Sequence, residues 1–71
     1  MKKPILIKFA KRVREERKKL KLSQEEFASM AGFHRTYIGM IERGERNITL
    51  SNIEKLAKAL RRSVAVLLKG V

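Results

Sequence analysis

The sequence holds no cysteine, so no disulfide can brace the fold and no thiolate can act as nucleophile or metal ligand. There is one histidine, His34, without neighbouring cysteines or clustered acids, and a lone imidazole makes no metal site. No glycine-rich phosphate loop occurs, and no pair of carboxylates sits among apolar neighbours that would push their pKa values apart. These absences exclude an enzyme and leave no cofactor to expect. Long apolar runs are also missing. "MKKPILIKF" has only a short apolar triplet after its lysines, too little for a signal peptide, and no run could span a membrane. A cytoplasmic location, which the lack of cysteine also fits, is the expectation.

What is present is positive charge. Eighteen Lys and Arg oppose seven Glu, for a formal net charge of +11. The excess is uneven: residues 1–21 carry ten basic and two acidic groups, and residues 22–71 carry eight and five. Such a field suits a polyanion, because phosphate contacts release condensed counterions. By itself the charge leaves nucleic acid and an anionic membrane surface as competing partners.

Seventy-one residues allow one small domain, spanning positions 1–71, with a core that must rely on tight helix packing or a partner subunit. Glycine and proline are scarce, and the apolar period is helical almost throughout. Phe9, Val13 and Leu20 form an inward stripe on a first helix running from Pro4 or Lys8 to Leu20. Ser23 reads as an N-cap, with Glu26 completing a capping box and Leu22 and Phe27 at staple spacing. This second helix runs from Gln24 to Ala31 and ends at Gly32 in a left-handed turn. A third follows at once, from Arg35 to Arg43, and Gly44 closes it. Thr49 caps a fourth helix, preferred to the competing Ser51–Glu54 box because its register pairs Ile48 with Ile53. Leu50, Ile53, Leu56, Ala57 and Leu60 form its inward stripe. Ser63 caps a last helix, "VAVLLKG". Five helices with no strand signal, two of them joined by a tight glycine turn, make an all-α helix-turn-helix fold.

The stretch "LSQEEFASMAGFHRTYIGMIERGERNITLSNIEKLAKAL" resembles the Cro and phage-repressor helix-turn-helix family, the Xre-type regulators. The marks are Gln after a Ser cap, Ala in mid-helix, Gly in the turn, and Ile-x-x-Ile-Glu-x-Gly closing the third helix. The likeness covers residues 9–69, and "RTYIG-x-IERG-x-RN" is further similar to the controller proteins of restriction-modification systems. It implies a compact lambda-repressor-like domain that binds double-stranded DNA as a homodimer and regulates transcription. An antitoxin that binds its own operator and a protein toxin is the alternative.

The resemblance places the third helix in the major groove with its N-terminal residues at base edges. The corresponding positions here are Arg35, Thr36 and, one turn on, Met40. Arg35 has a planar fork that matches two acceptors on guanine. Phosphate contacts then fall to Arg43, Arg46 and Asn47 after the third helix and to Gln24 at the start of the second, for which the resemblance implies a phosphate or outer-base contact. Tyr37 has two readings, a phosphate contact through its hydroxyl or cover for the core edge. Arg17 and Glu42 lie on inward stripes, where a charge persists only if paired, and the family has an Arg–Glu bridge at these positions. In related phage repressors the position of Glu25 belongs to an acidic patch touching RNA polymerase. Its other reading is a partner for the positive end of the helix dipole.

Three residues depart from the pattern. His34 stands where Ser, Thr or Asp usually caps the recognition helix, Arg61 where Gly often ends the fourth, and Val66 where an acid follows the Ser cap. Val64, Val66, Leu67 and Leu68 are more apolar surface than one short helix can hide in its own monomer. A two-fold dimer interface is the expectation, with ordinary core as the competing reading.

Overall fold

A computed structural model describes residues 2–71. The elements are α1 (Pro4–Lys19), α2 (Gln24–Ala31), α3 (Arg35–Glu42), α4 (Leu50–Ala59) and α5 (Val64–Leu68), with no strand among the described residues. Four of the five helices begin on a side-chain cap, which explains how short elements form in so basic a chain. Ser23 Oγ accepts from the Glu26 N–H at 3.0 Å, and Glu26 Oε1 accepts from the Ser23 N–H at 2.8 Å. That return bond, then the Ser23 side chain, holds the Glu26 carboxyl below its ordinary pKa. Thr49 and Ser63 cap α4 and α5 through the N–H groups of Asn52 and Val66. His34 also caps: its Nδ1 accepts from the Thr36 N–H at 3.1 Å, so the imidazole does the work of the usual hydroxyl. Only α1 starts without a cap bond, on the dipeptide Lys3–Pro4, where proline at the first position gives up no hydrogen bond.

Chain reversals sit at positive φ. Gly32 (φ 79°) turns α2 into α3. Gly44 (φ 71°) follows α3, and a Cβ there would stand 3.3 Å from the Ile7 Cα, so a side chain would be both strained and tightly packed. Arg61 takes the same left-handed conformation (φ 57°) at the end of α4 and bears a strain that glycine would not.

The core gathers Phe9 and Val13 of α1, Phe27 of α2, Ile38 and Ile41 of α3, Leu56 and Leu60 from α4 and its cap, and Leu67 of α5. Helix α3 packs against both α2 and α1, while α5 packs against α1 and α4. The first helix therefore touches both ends of the molecule. Two expected core residues are outside it. Leu20 is 38% exposed, because α1 stops at Lys19 and the chain leaves through a left-handed Lys21. Leu50 is 74% exposed at the first position of α4, although Ile53 three residues on is buried.

Candidate nucleic-acid interface

The expected recognition surface begins at the N-terminus of α3. Arg35 and Thr36 are exposed, and Ile38, Gly39, Ile41 and Glu42 are buried behind them. An eight-residue helix can present two polar residues outward because its other face is fully used in packing. Met40, expected at a base edge, is half-buried on the following turn.

Behind α3 lies the expected ion pair. Arg17 Nε and Nη2 reach the two carboxylate oxygens of Glu42 at 2.7 and 2.9 Å, a two-bond fork between nearly buried side chains. Arg17 Nη1 also donates to the Leu22 carbonyl at 2.8 Å, tying the same guanidinium to the chain entering α2. Gln24 Nε2 donates to Glu42 Oε1 at 3.1 Å. Gln24 was expected at a phosphate, yet one of its two amide hydrogens serves the bridge. Arg14 Nη1 donates to the Glu42 backbone carbonyl at 2.6 Å, placing a cation on the C-terminal end of α3. The start of α2, the end of α3 and two turns of α1 thus share one polar knot. No buried side-chain polar atom among the described residues lacks a partner.

The flank of α3 toward α4 is aromatic. Tyr37 is half-buried and packs on the core, with its ring centroid 4.9 Å from that of Phe33. Its hydroxyl oxygen accepts from Asn52 Nδ2 at 3.0 Å, and the Arg46 guanidinium lies 5.4 Å above the ring. Both sequence readings of Tyr37 are therefore compatible, since the ring covers the core edge while the hydroxyl stays at the rim. Arg43 is more than half exposed and donates to Glu45 at 3.0 Å, so its charge is partly neutralised before any DNA arrives. Arg46 and Asn47 are exposed in the loop that follows. Lys2 approaches the same loop, 3.9 Å from Glu45. Glu25 is exposed on the first turn of α2 and has no ion-pair partner among the described residues.

The expected dimer residues divide. Leu67 is fully buried within its own chain, because α5 returns across α1 and α4 and fills the gap between them. It is core, and its assignment to an interface is corrected. Val64 packs on the core edge, Val66 is half-buried, and Leu68 is 36% exposed. Unexpected apolar surface lies on α1, where Ile5 is 56% exposed. Ile5, Leu6, Phe9, Ile48, Ile53, Leu68 and Val71 line a groove of about 230 Å³. The bare triplet of "PILIKF" was the available signal, and it gained meaning only beside α5.

A second buried carboxylate also escaped the sequence reading. Glu16 is 2% exposed and accepts from Lys19 Nζ at 3.0 Å and Arg62 Nε at 2.9 Å. The Lys19 bond first, and the positive charges of Lys19 and Arg62, hold its carboxyl below the ordinary pKa although burial acts the other way. Nearby, Arg12 Nε donates to the Val66 carbonyl at 3.0 Å. Glu16 lies three residues after Val13 on the inward stripe, so its burial was legible, but its partner 46 positions away was not.

A helix-turn-helix family model matches residues 13–67. The chain is 56% identical over 59 residues to control protein C.SmaI of Serratia marcescens, covering 83% of this chain and 70% of that one. The crystal structure of the restriction-modification controller protein C.AhdI from Aeromonas hydrophila superposes with a TM-score of 0.86 at 48% identity, covering 87% of this chain and 94% of the other. C.Esp1396I bound to a 19 base pair DNA duplex superposes with a TM-score of 0.87 at 31% identity, over 94% and 89% of the two chains. These relatives favour the control-protein reading over the antitoxin one. No described helix is long and apolar enough to cross a membrane.

Proposed function

The chain belongs to the helix-turn-helix family and, within it, to the restriction-modification control proteins, and from that premise we propose a dimeric, sequence-specific regulator of transcription acting in the cytoplasm. The observation that carries the reading is the start of α3. Arg35 and Thr36 stand exposed on a helix that Arg17, Glu42 and Gln24 fix from behind, so their direction is set before DNA is met. Arg35 reads guanine, Thr36 a neighbouring base, and Met40 packs deeper in the groove. Arg46, Asn47, the Tyr37 hydroxyl and the free hydrogen of Gln24 hold the backbone, with Arg43 as a weaker contributor because of Glu45.

The described residues carry one such helix and extend 28 Å at most, so two half-sites about 34 Å apart require two copies. The apolar groove around Ile5, Leu6 and Leu68 supplies the self-complementary face, and the half-buried Val64 and Val66 of α5 add to it. Leu68→Glu places a charge there without entering the core; sedimentation should then find monomers and operator affinity should fall. Glu25 is free to meet RNA polymerase. Glu25→Lys should bind operator at least as tightly yet fail to activate a reporter promoter at equal occupancy.

The central test is Arg35→Ala. It should cost about 1–3 kcal/mol on operator DNA and relax specificity at one base pair in each half-site, with much less loss on scrambled DNA. Equal losses on both would reduce Arg35 to a phosphate contact.

A further inference from the structure

We propose that Asn52 is a positioning residue for the DNA contact of Tyr37: its amide turns the single phenolic hydrogen outward, where it donates to one phosphate oxygen. The proposal rests on the DNA-binding reading above. A phenol has one hydrogen and two lone pairs. Asn52 Nδ2 donates to the oxygen at 3.0 Å, which occupies a lone pair and excludes the hydrogen from that direction. The hydroxyl has no second partner among the described residues, so its donor is unspent.

The rest of the surroundings are fixed as well. Phe33 stands 4.9 Å from the ring and the Arg46 guanidinium lies over it at 5.4 Å, so the ring has little freedom to swing. Asn52 is placed by its own backbone, whose N–H donates to the Thr49 cap at 3.2 Å. The cap of α4 therefore orients Asn52, and Asn52 orients the hydroxyl. Arg35 and Thr36 occupy the exposed tip of α3, whereas Tyr37 lies on its flank beside Arg46, where the strand backbone rather than a base edge would pass. A neutral donor aimed in advance makes a charge-assisted bond to phosphate without releasing a counterion. Its loss should leave the salt dependence of binding unchanged, whereas loss of Arg46 should lower it.

The test compares the wild-type chain, Tyr37→Phe, Asn52→Asp and the double variant on a duplex selected by the wild-type chain from a random-sequence pool. Affinity is measured at two salt concentrations, with phosphate-ethylation interference and thermal melting alongside. Tyr37→Phe should weaken binding about tenfold at either salt and erase interference at one phosphate per half-site. Asp at position 52 accepts the phenolic hydrogen and turns it inward, so Asn52→Asp should erase interference at the same phosphate while the protein melts normally. Its added negative charge weakens binding in either background and is screened by salt. The remaining loss should vanish once Tyr37 is Phe. Equal costs of Asn52→Asp in both backgrounds, or an unchanged ethylation pattern, would overturn the role of Asn52 alone. Failure of the wild-type chain to select any duplex would overturn the DNA reading and this proposal together.

Discussion

Glu42 and Glu16 are equally buried, and α1 reaches both, yet they hold the molecule in different ways. Glu42 faces a guanidinium that is itself only 11% exposed and also donates to the Leu22 carbonyl, while Gln24 donates a further hydrogen to the Glu42 carboxylate. Glu16 faces Lys19 and Arg62, which are 58% and 47% exposed. At the first site both charges have left water, so each depends chiefly on the other for its countercharge. At the second the cations keep most of their hydration, and the pair is screened like a surface bridge on its outer side. The side of α1 that faces α3 is thus a rigid pin, and the side that faces Arg62, after α4, is a softer clasp, although their α1 residues, Arg17 and Glu16, are consecutive. The base contact proposed for Arg35 would benefit from the first arrangement, because a small tilt of α3 would misplace its side chain.

The largest expected effect tests the pin. Arg17→Met or Glu42→Leu alone should destabilise by about 3–5 kcal/mol in denaturant unfolding, while the double replacement should cost far less. Additive single effects would show that the two sites do not differ as argued.

The clasp should yield less. Glu16→Gln should cost about 1 kcal/mol near neutrality, because its partners recover water when released. Its carboxyl pKa is lowered on folding, so its stabilisation is present above the unfolded value and disappears as pH falls through the folded one. Melting temperatures of wild type and Glu16→Gln should therefore converge in acid, below the usual carboxylate range, and separate again toward neutrality. Convergence on raising the pH instead would reverse the assignment of its shift.

The smallest effect sharpens the comparison at the clasp. Arg61 precedes the clasp residue Arg62 and holds a left-handed backbone. Arg61→Gly should relieve that strain and stabilise by about 0.5 kcal/mol, after the greater unfolded-state freedom of glycine is counted. A destabilised variant would mean that the Arg61 side chain supports the turn.

The pin was legible in the sequence and the clasp was not, and the reason lies in spacing. Arg17 and Glu42 sit at motif positions whose pairing the resemblance supplied. Glu16 shares the inward stripe of Val13, but its partner Arg62 follows a departure from the usual pattern at Arg61. Its pairing depends on how the α4–α5 turn comes back across α1. Leu20 and Leu50 failed for a related reason: a periodic stripe says which face is inward, not where the neighbouring helix stops covering it.

By itself the sequence determined the helices, the caps at Ser23, Thr49 and Ser63, the glycine turn and the exposure of Arg35 and Thr36 on α3, because these depend on contacts within four residues or on a motif of fixed length. Only the tertiary structure decided that Leu67 belongs to the core, that Ile5 and Leu68 share a groove, and that Asn52 holds the Tyr37 hydroxyl. Each of those joins residues distant in sequence, whose meeting depends on the crossing of whole helices rather than on the period of any one of them.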